Sequence, residues 1–202
     1  RRERADFGIG FDGDSDRVGL VDGNGRVIYG DEILVILSRE VLSRKPGATV
    51  LSEVKSSHRL YEDIRKHGGR PVMCKTGHSI IKTRMKEEKA ELAGEMSGHI
   101  FFKDRFYGFD DGIYAAARIY EIASQTKLPF ETLLEGLPKS FSTPEIRIDC
   151  SEAHKFQLVE LTKSKLSHLG ARVVDIDGVR AEFSDGWGLL RASNTQAVLV
   201  MR

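Results

Sequence analysis

Six consecutive residues near the amino end carry the densest chemistry in the sequence: Asp12-Gly13-Asp14-Ser15-Asp16-Arg17. Three carboxylates at alternate positions repel one another, and gathering them costs free energy unless a cation neutralises the group. Hard oxygen ligands in a compact loop suit Mg²⁺ or Ca²⁺ rather than zinc or copper. Gly13 lets the backbone fold tightly enough for side chains at i, i+2 and i+4 to converge. The preceding run, 6–11, reads as a strand delivering the acids to its end, where ligand loops lie in open α/β sheets. A solvated acidic turn is the alternative.

Two look-alikes fail at this spot. Gly8, Gly10 and Gly13 spell a dinucleotide fingerprint, with Asp31 at about the right distance. That motif must open a helix receiving a pyrophosphate, whereas here three acids follow. The next segment, 18–28, alternates around Asp22-Gly23-Asn24-Gly25, which is a hairpin signal. An EF-hand loop needs glycine sixth and glutamate twelfth, where this chain has Arg17 and Gly23.

Three further constellations follow along the chain. Lys75-Thr76-Gly77-His78 comes after a short apolar strand and opens a helix; Thr76 or His78 can cap it, and the free N–H groups there attract anions. Gly94-Glu95-Met96-Ser97-Gly98-His99 packs an acid, a hydroxyl and an imidazole between glycines, which suits the vicinal hydroxyls of a sugar. It is not a nucleophile elbow, because the serine stands one place too late. Arg191-Ala192-Ser193-Asn194-Thr195 offers a guanidinium, two hydroxyls and a carboxamide at a strand end, a donor-rich cradle for phosphate. Each has a plainer reading as an ordinary turn, and Lys55, after strand 50–54, has one as a solvated lysine.

These loops need elements to hold them. Apolar residues at 33, 34, 36, 37 and 41 make a helical stripe over 31–44, stopped by Pro46-Gly47. Strand 48–53, helix 57–67, strand 70–75 and helix 78–88 follow, then a strand pair at 91–95 and 99–102 and an alanine-rich helix over 110–124. That alternation argues an α/β layered unit with a largely parallel sheet. Breakers at Gly136-Leu137-Pro138 and Ser142-Thr143-Pro144 mark a linker. Beyond it, strand 145–149, a helix bearing Phe156, Leu158, Val159, Leu161 and Leu166, and strands at 173–176, 179–183 and 187–191 form an α+β unit with an antiparallel sheet.

The bulk numbers exclude several classes. A net charge of +1 over 202 residues gives no broad basic field for nucleic acid or a membrane surface. Cys74 and Cys150 lack CxxC spacing, which favours reduced thiols and a cytoplasmic setting. No apolar run reaches the roughly 18 residues of a membrane span. The chain starts without methionine and both ends fall close to strands, so a fragment of a longer protein is expected.

Taken together, the four motifs, in this order and spacing, resemble the α-D-phosphohexomutase family, over nearly the whole chain. The resemblance implies an α/β/α domain with a mixed sheet followed by an α+β domain. It divides the chain into 1–27, the end of a preceding α/β domain carrying the metal loop, 28–137, a sugar-binding domain, and 138–202, a phosphate-binding domain. It assigns Asp12, Asp14 and Asp16 to Mg²⁺ and sets Arg17 beside the transferring phosphate. Glu95, Ser97 and His99 would meet the sugar; Lys55 and His78 would contact ligand or move protons; Arg191, Ser193, Asn194 and Thr195 would hold the phosphate not in transit. The implied activity moves phosphate between C1 and C6 of mannose or glucose phosphate through a phosphoserine enzyme and a hexose bisphosphate. Met96 resembles the manno/gluco enzymes, since the glucosamine mutases usually carry glutamine there. The family's phosphoserine loop, of Thr-Ala-Ser-His-Asn-Pro type, does not occur in this chain, so a missing N-terminal domain is the implied partner and the piece alone is expected to be inactive. Rival expectations are a phosphoglucosamine mutase, a Mg²⁺-dependent phosphatase and a non-catalytic sugar-phosphate binding module. The phosphatase needs a D-x-D-x-[TV] nucleophile, and position 16 is an acid instead.

Overall fold

The computed structural model describes residues 3–166 and 169–202, in two compact units, Arg1–Pro138 and Lys139–Arg202. Arg1 and Arg2 lie outside the described residues.

The first unit begins with an antiparallel meander, β1 (Phe7–Phe11), β2 (Val18–Asp22) and β3 (Val27–Ile28). Phe7 pairs with Asp22 and Phe11 with Val18, so residues 12–17 are the connection of a hairpin. This corrects one expectation: β1 does not join the parallel sheet. In β2, Val18 and Leu20 point into the core while Gly19 and Val21 face outward. The second turn forms on Asp22, whose Oδ1 accepts from the N–H groups of Asn24 and Arg26 while Gly25 adopts φ +86°.

Helix α1 (Gly30–Arg44) buries Ile33, Leu34, Val35, Ile36, Leu37, Val41 and Leu42. Asp31 and Glu32 in its first turn oppose the positive end of the helix dipole. The second sheet runs β5 (Arg70–Cys74), β4 (Thr49–Glu53), β6 (Leu92–Gly94), β7 (Ile100–Phe102). β4 is parallel to β5 and β6, and β7 returns antiparallel to β6, so the sheet is mixed. Strand β4 is buried throughout, as expected of a central parallel strand. Its alternating side chains split the core: Val50, with Leu92, Ile100 and Phe102, packs with α1, α2 (His58–Lys66) and α4 (Gly112–Gln125). Leu51, with Ala93, Cys74 and Phe101, packs instead against Ile81 and Met85 of α3 (His78–Glu88). Three layers, α/β/α, result. Ser57 caps α2 and Asp111 caps α4 through their side-chain oxygens.

The second unit is a five-stranded antiparallel sheet in the order β8 (Ile146–Asp149), β12 (Val198–Met201), β11 (Trp187–Ala192), β10 (Val179–Glu182), β9 (Arg172–Val174). Helix α5 (Glu152–Leu166) covers one face, placing Val159 against Val179, Ala192 and Leu199. Its inward face departs from the hydrophobic pattern. Lys155 is buried, whereas Phe156, Leu158 and Leu161 are exposed. Strand β9 stops at Val174, two residues short of expectation, because the turn through Asp177-Gly178 starts early.

Candidate active site

The acid loop is shaped by Ser15, which sits at φ +61°, in the left-handed region, and whose N–H donates to the Asp12 carbonyl. One oxygen from each of Asp12, Asp14 and Asp16 lies within 4.8 Å of the others. Arg17 partly neutralises them. Its backbone N–H reaches Asp12 Oδ1 at 3.2 Å and its Nε reaches Oδ2 at 2.5 Å. Burial pushes the Asp12 carboxyl up, but these hydrogen bonds and the Arg17 charge outweigh it and hold it below the usual carboxylate range. Asp16 Oδ1 is buried without a hydrogen bond, 3.7 Å from Arg17 Nε. Three converging carboxylates, one of them with a buried oxygen that makes no hydrogen bond, fit a hard divalent cation.

Backbone hydrogen bonds pin the loop to the body of the first unit. Val18 N donates to Gly98 O at 3.0 Å and Gly112 N donates to Ser15 O at 3.0 Å. A Cβ on Gly112 would lie 2.8 Å from Ser15 O, and one on Gly98, at φ +96°, would lie 2.5 Å from Val18 O. Both glycines are required by that close approach.

Around the loop stand the groups delivered by the parallel sheet. His99 Nε2 lies 3.4 Å from Asp16 Oδ2, and its Nδ1 lies 2.9 Å from Glu95 Oε2 and 2.8 Å from Ser97 Oγ. Desolvation disfavours charge on His99, yet the Glu95 hydrogen bond and the charges of Glu95, Asp16 and Asp110 outweigh it and raise its pKa. Glu95 moves the opposite way: burial pushes it up, and the His99 and Gly77 hydrogen bonds, with the charges of His99 and Lys55, bring it down. Glu95 is itself buried, its Oε1 accepting from Gly77 N at 2.8 Å. His78 stacks on His99 with ring centroids 6.0 Å apart, and its Nδ1 lies 3.3 Å from Asp110 Oδ2. A groove of about 420 Å³ along the hairpin is lined by Asp12, Arg17 and Ser97 among others.

Asp12, Asp14, Asp16, Arg17, His78, Glu95, Ser97 and His99 thus form one continuous set within the first unit. Lys55 stands beside it, after β4, close enough to influence Glu95. Arg191, Ser193, Asn194 and Thr195 form a second set within their own unit. Arg191 is buried and its Nε and Nη2 grip Asp177 at 3.1 and 3.4 Å. Ser193 Oγ accepts from Thr195 N at 3.3 Å and Gln196 N at 3.2 Å, leaving the Asn194 and Thr195 side chains exposed.

The sequence reading missed four residues that build these sites. Asp110 holds His78 and also accepts from Lys82 Nζ at 3.1 Å. Asp177 holds Arg191. Lys155, one of the most buried side chains of the chain, donates from Nζ to Ser193 O at 2.6 Å and Gln196 O at 3.2 Å, and to Glu152 Oε1. Glu53, the last residue of β4, is fully buried. A signal existed for Glu53 alone: an acid closing a short strand with no other charged residue.

Comparison with known proteins gives consistent matches. The family description "Phosphoglucomutase/phosphomannomutase, alpha/beta/alpha domain III" matches residues 29–141, and "Phosphoglucomutase/phosphomannomutase, C-terminal domain" matches 145–202. The chain is 52% identical over 198 residues to a phosphomannomutase/phosphoglucomutase of Pseudomonas syringae pv. tomato, covering 98% of this chain and 43% of that protein. It is 50% identical to a phosphoglucomutase of Neisseria gonorrhoeae over the same shares. A crystal structure of a phosphoglucomutase/phosphomannomutase family protein from Burkholderia thailandensis superposes with a TM-score of 0.89 at 46% identity, covering 98% of this chain and 42% of that one. The chain spans less than half the length of these relatives.

Proposed function

Because the chain belongs to the phosphoglucomutase/phosphomannomutase family, we propose that it supplies the metal loop, the sugar-reading loop and the phosphate cradle of an enzyme that moves phosphate between C1 and C6 of mannose or glucose phosphate. The observation that carries this reading is the convergence of Asp12, Asp14 and Asp16 with Arg17 and the Glu95–Ser97–His99 loop at one rim of the first unit. The division into 1–27, 28–137 and 138–202, and a cytoplasmic setting, belong to the same proposal.

Asp12, Asp14 and Asp16 would hold Mg²⁺, which supplies positive charge against a phosphoryl group in transit. Arg17 adds a guanidinium beside that loop and can turn its free donors toward phosphate oxygens. Ser97 and Glu95 read sugar hydroxyls, and the Gly77 amide fixes the Glu95 rotamer. His99, held between Glu95 and Asp16, joins Lys55 and His78 as groups able to move a proton. Arg191, oriented by Asp177, with Ser193, Asn194 and Thr195, takes the phosphate that is not transferred. A loop that reads hydroxyls of a pseudo-symmetric hexose bisphosphate in either orientation serves both halves of the reaction. The phosphoryl donor would be a phosphoserine on a domain outside this chain, so the chain by itself would bind hexose phosphate without turnover.

Calorimetry of the chain with glucose 1-phosphate, with and without Mg²⁺, tests the binding half. Mg²⁺-dependent heat without release of inorganic phosphate is expected. Released phosphate would favour a phosphatase instead, and failure to bind in both conditions would refute the reading. In the full-length protein, interconversion of mannose 1-phosphate and mannose 6-phosphate tests the reaction.

A further inference from the structure

Glu53 ends the central strand β4, between the two parallel neighbours whose loops reach the site. Its side chain is shut away from solvent, where an uncompensated carboxylate would cost several kcal/mol. The compensation is a set of donors drawn from three different loops. Oε2 accepts from the backbone N–H of Lys55 at 2.8 Å, in the loop after β4 itself. The same oxygen accepts from Thr76 Oγ1 at 2.9 Å, in the loop after β5. Oε1 accepts from the backbone N–H of Met96 at 3.1 Å, in the loop after β6. Tyr61 Oη donates to the Glu53 carbonyl at 3.0 Å and fixes its backbone from the α2 side.

Each of those loops carries a side chain assigned above to ligand: Lys55, His78, and the pair Glu95 and Ser97 that flanks Met96. We propose that Glu53 is a positioning residue that sets the spacing of these three loops, so that the sugar-reading groups and Lys55 meet one ligand at fixed separations. It touches no substrate. The proposal deepens the mutase reading and rests on it for the identity of the ligand.

The donor pattern makes the charge state matter as well as the shape. All three partners are set to donate, two of them backbone N–H groups with no alternative role. Burial pushes the Glu53 carboxyl up against the pull of the Lys55 charge and the Lys55 and Met96 N–H groups, and in its ionised form it accepts from all three partners. A glutamine of the same size keeps one oxygen, and its amide nitrogen must then oppose an N–H donor. Keeping the Lys55 and Thr76 contacts turns the NH₂ against Met96 N–H and frees the Glu95–His99 loop.

The test is Glu53→Gln in the full-length protein, read in two independent ways. Amide hydrogen exchange at Met96 is expected to accelerate about tenfold or more, the scale of one lost charge-assisted hydrogen bond, while the amides of Lys55 and of 49–52 keep their protection. KM for hexose phosphate is expected to rise about tenfold or more, with a smaller fall in kcat. Thr76→Val, which removes one donor without touching the buried acid, is expected to shift both readouts the same way by a few-fold and serves if the glutamine variant does not fold. Unchanged exchange at Met96 overturns the proposal. So does a uniform loss of protection through β4 and β5, which would mark a purely structural residue. Should the unmodified protein turn over no hexose phosphate, the mutase reading fails, while the exchange pattern still judges Glu53.

Discussion

Acidification offers a quantitative test of how the first unit is held together. Asp104, whose side chain is 1% exposed, accepts from Arg44 Nη2 at 2.6 Å and lies 3.2 Å from both Lys45 Nζ and Arg118 Nη2. Burial pushes its carboxyl up; the hydrogen bonds from Arg44 and Lys45 and the charges of Arg44 and Arg118 win, bringing it from 3.8 to about 2. The native state therefore binds the Asp104 proton more weakly than the unfolded chain. Stability from this group is complete above about pH 4 and is lost as pH falls through about 2. A displacement of that size corresponds to about 2 kcal/mol. Asp104→Asn removes the charge and keeps the shape. Breaking a buried pair costs about 3–5 kcal/mol when it strands its partner, but Arg118 keeps Glu40 at 2.5 Å and Glu121 at 3.2 Å. The expected penalty at pH 7 is accordingly nearer 2–3 kcal/mol. Urea unfolding followed by hydrogen exchange at α1 and α4 amides measures it. The difference between the two proteins should shrink to under about 1 kcal/mol near pH 2, where Asp104 is itself about half protonated, and fade further below that. A gap that stays constant or widens on acidification would refute the electrostatic account.

Other perturbations follow from the sites. Asp14→Asn should weaken Mg²⁺ binding at least about tenfold by calorimetry and abolish turnover in the full-length protein; steady-state kinetics like those of the unmodified enzyme would remove the metal assignment. Gly98→Ala forces a Cβ to 2.5 Å from Val18 O at φ +96°, so it should cost about 1–3 kcal/mol and lower hexose-phosphate affinity by displacing Ser97 and His99; thermal melts and calorimetry check both. Arg191→Ala should raise KM far more than it lowers kcat, because that arginine grips the phosphate that does not react. Lys155→Met leaves the Ser193 and Gln196 carbonyls without their buried donor and should cost about 2–4 kcal/mol. The single tryptophan, Trp187, lies in the same unit and reports that loss through its fluorescence in urea.

Much of the architecture was legible because it is written in periodicity and breakers. The stripe at 33, 34, 36, 37 and 41 is the buried face of α1, Pro46-Gly47 falls between α1 and β4, and Gly68-Gly69 falls between α2 and β5. The motif residues were legible as loops because glycines such as Gly13, Gly94 and Gly98 stand among polar residues at strand ends. Three things were not. Nothing local says that β1 pairs only within its own meander, because register is decided by the partner strand. Burial of charge was invisible in the same way: Glu53, Arg118, Lys155 and Arg180 are hydrophilic by type and interior by context. Arg180 lies with its guanidinium 3.9 Å above the Trp187 ring, a contact between residues that local sequence does not pair. The pattern on α5 misled, since a lysine took the inward place that an aromatic neighbour was expected to fill.

The hairpin that carries the acids is finished by residues far downstream. Phe7 stacks on Phe130 with ring centroids 4.4 Å apart and also meets Tyr120, while Ser15 waits for the Gly112 amide. Such pairings close long stretches of chain and are entropically late. During synthesis the acidic turn therefore leaves the ribosome long before its scaffold exists, and it stays unformed until α4 and the segment after it emerge. The acids are translated well before the residues that hold them in their working geometry.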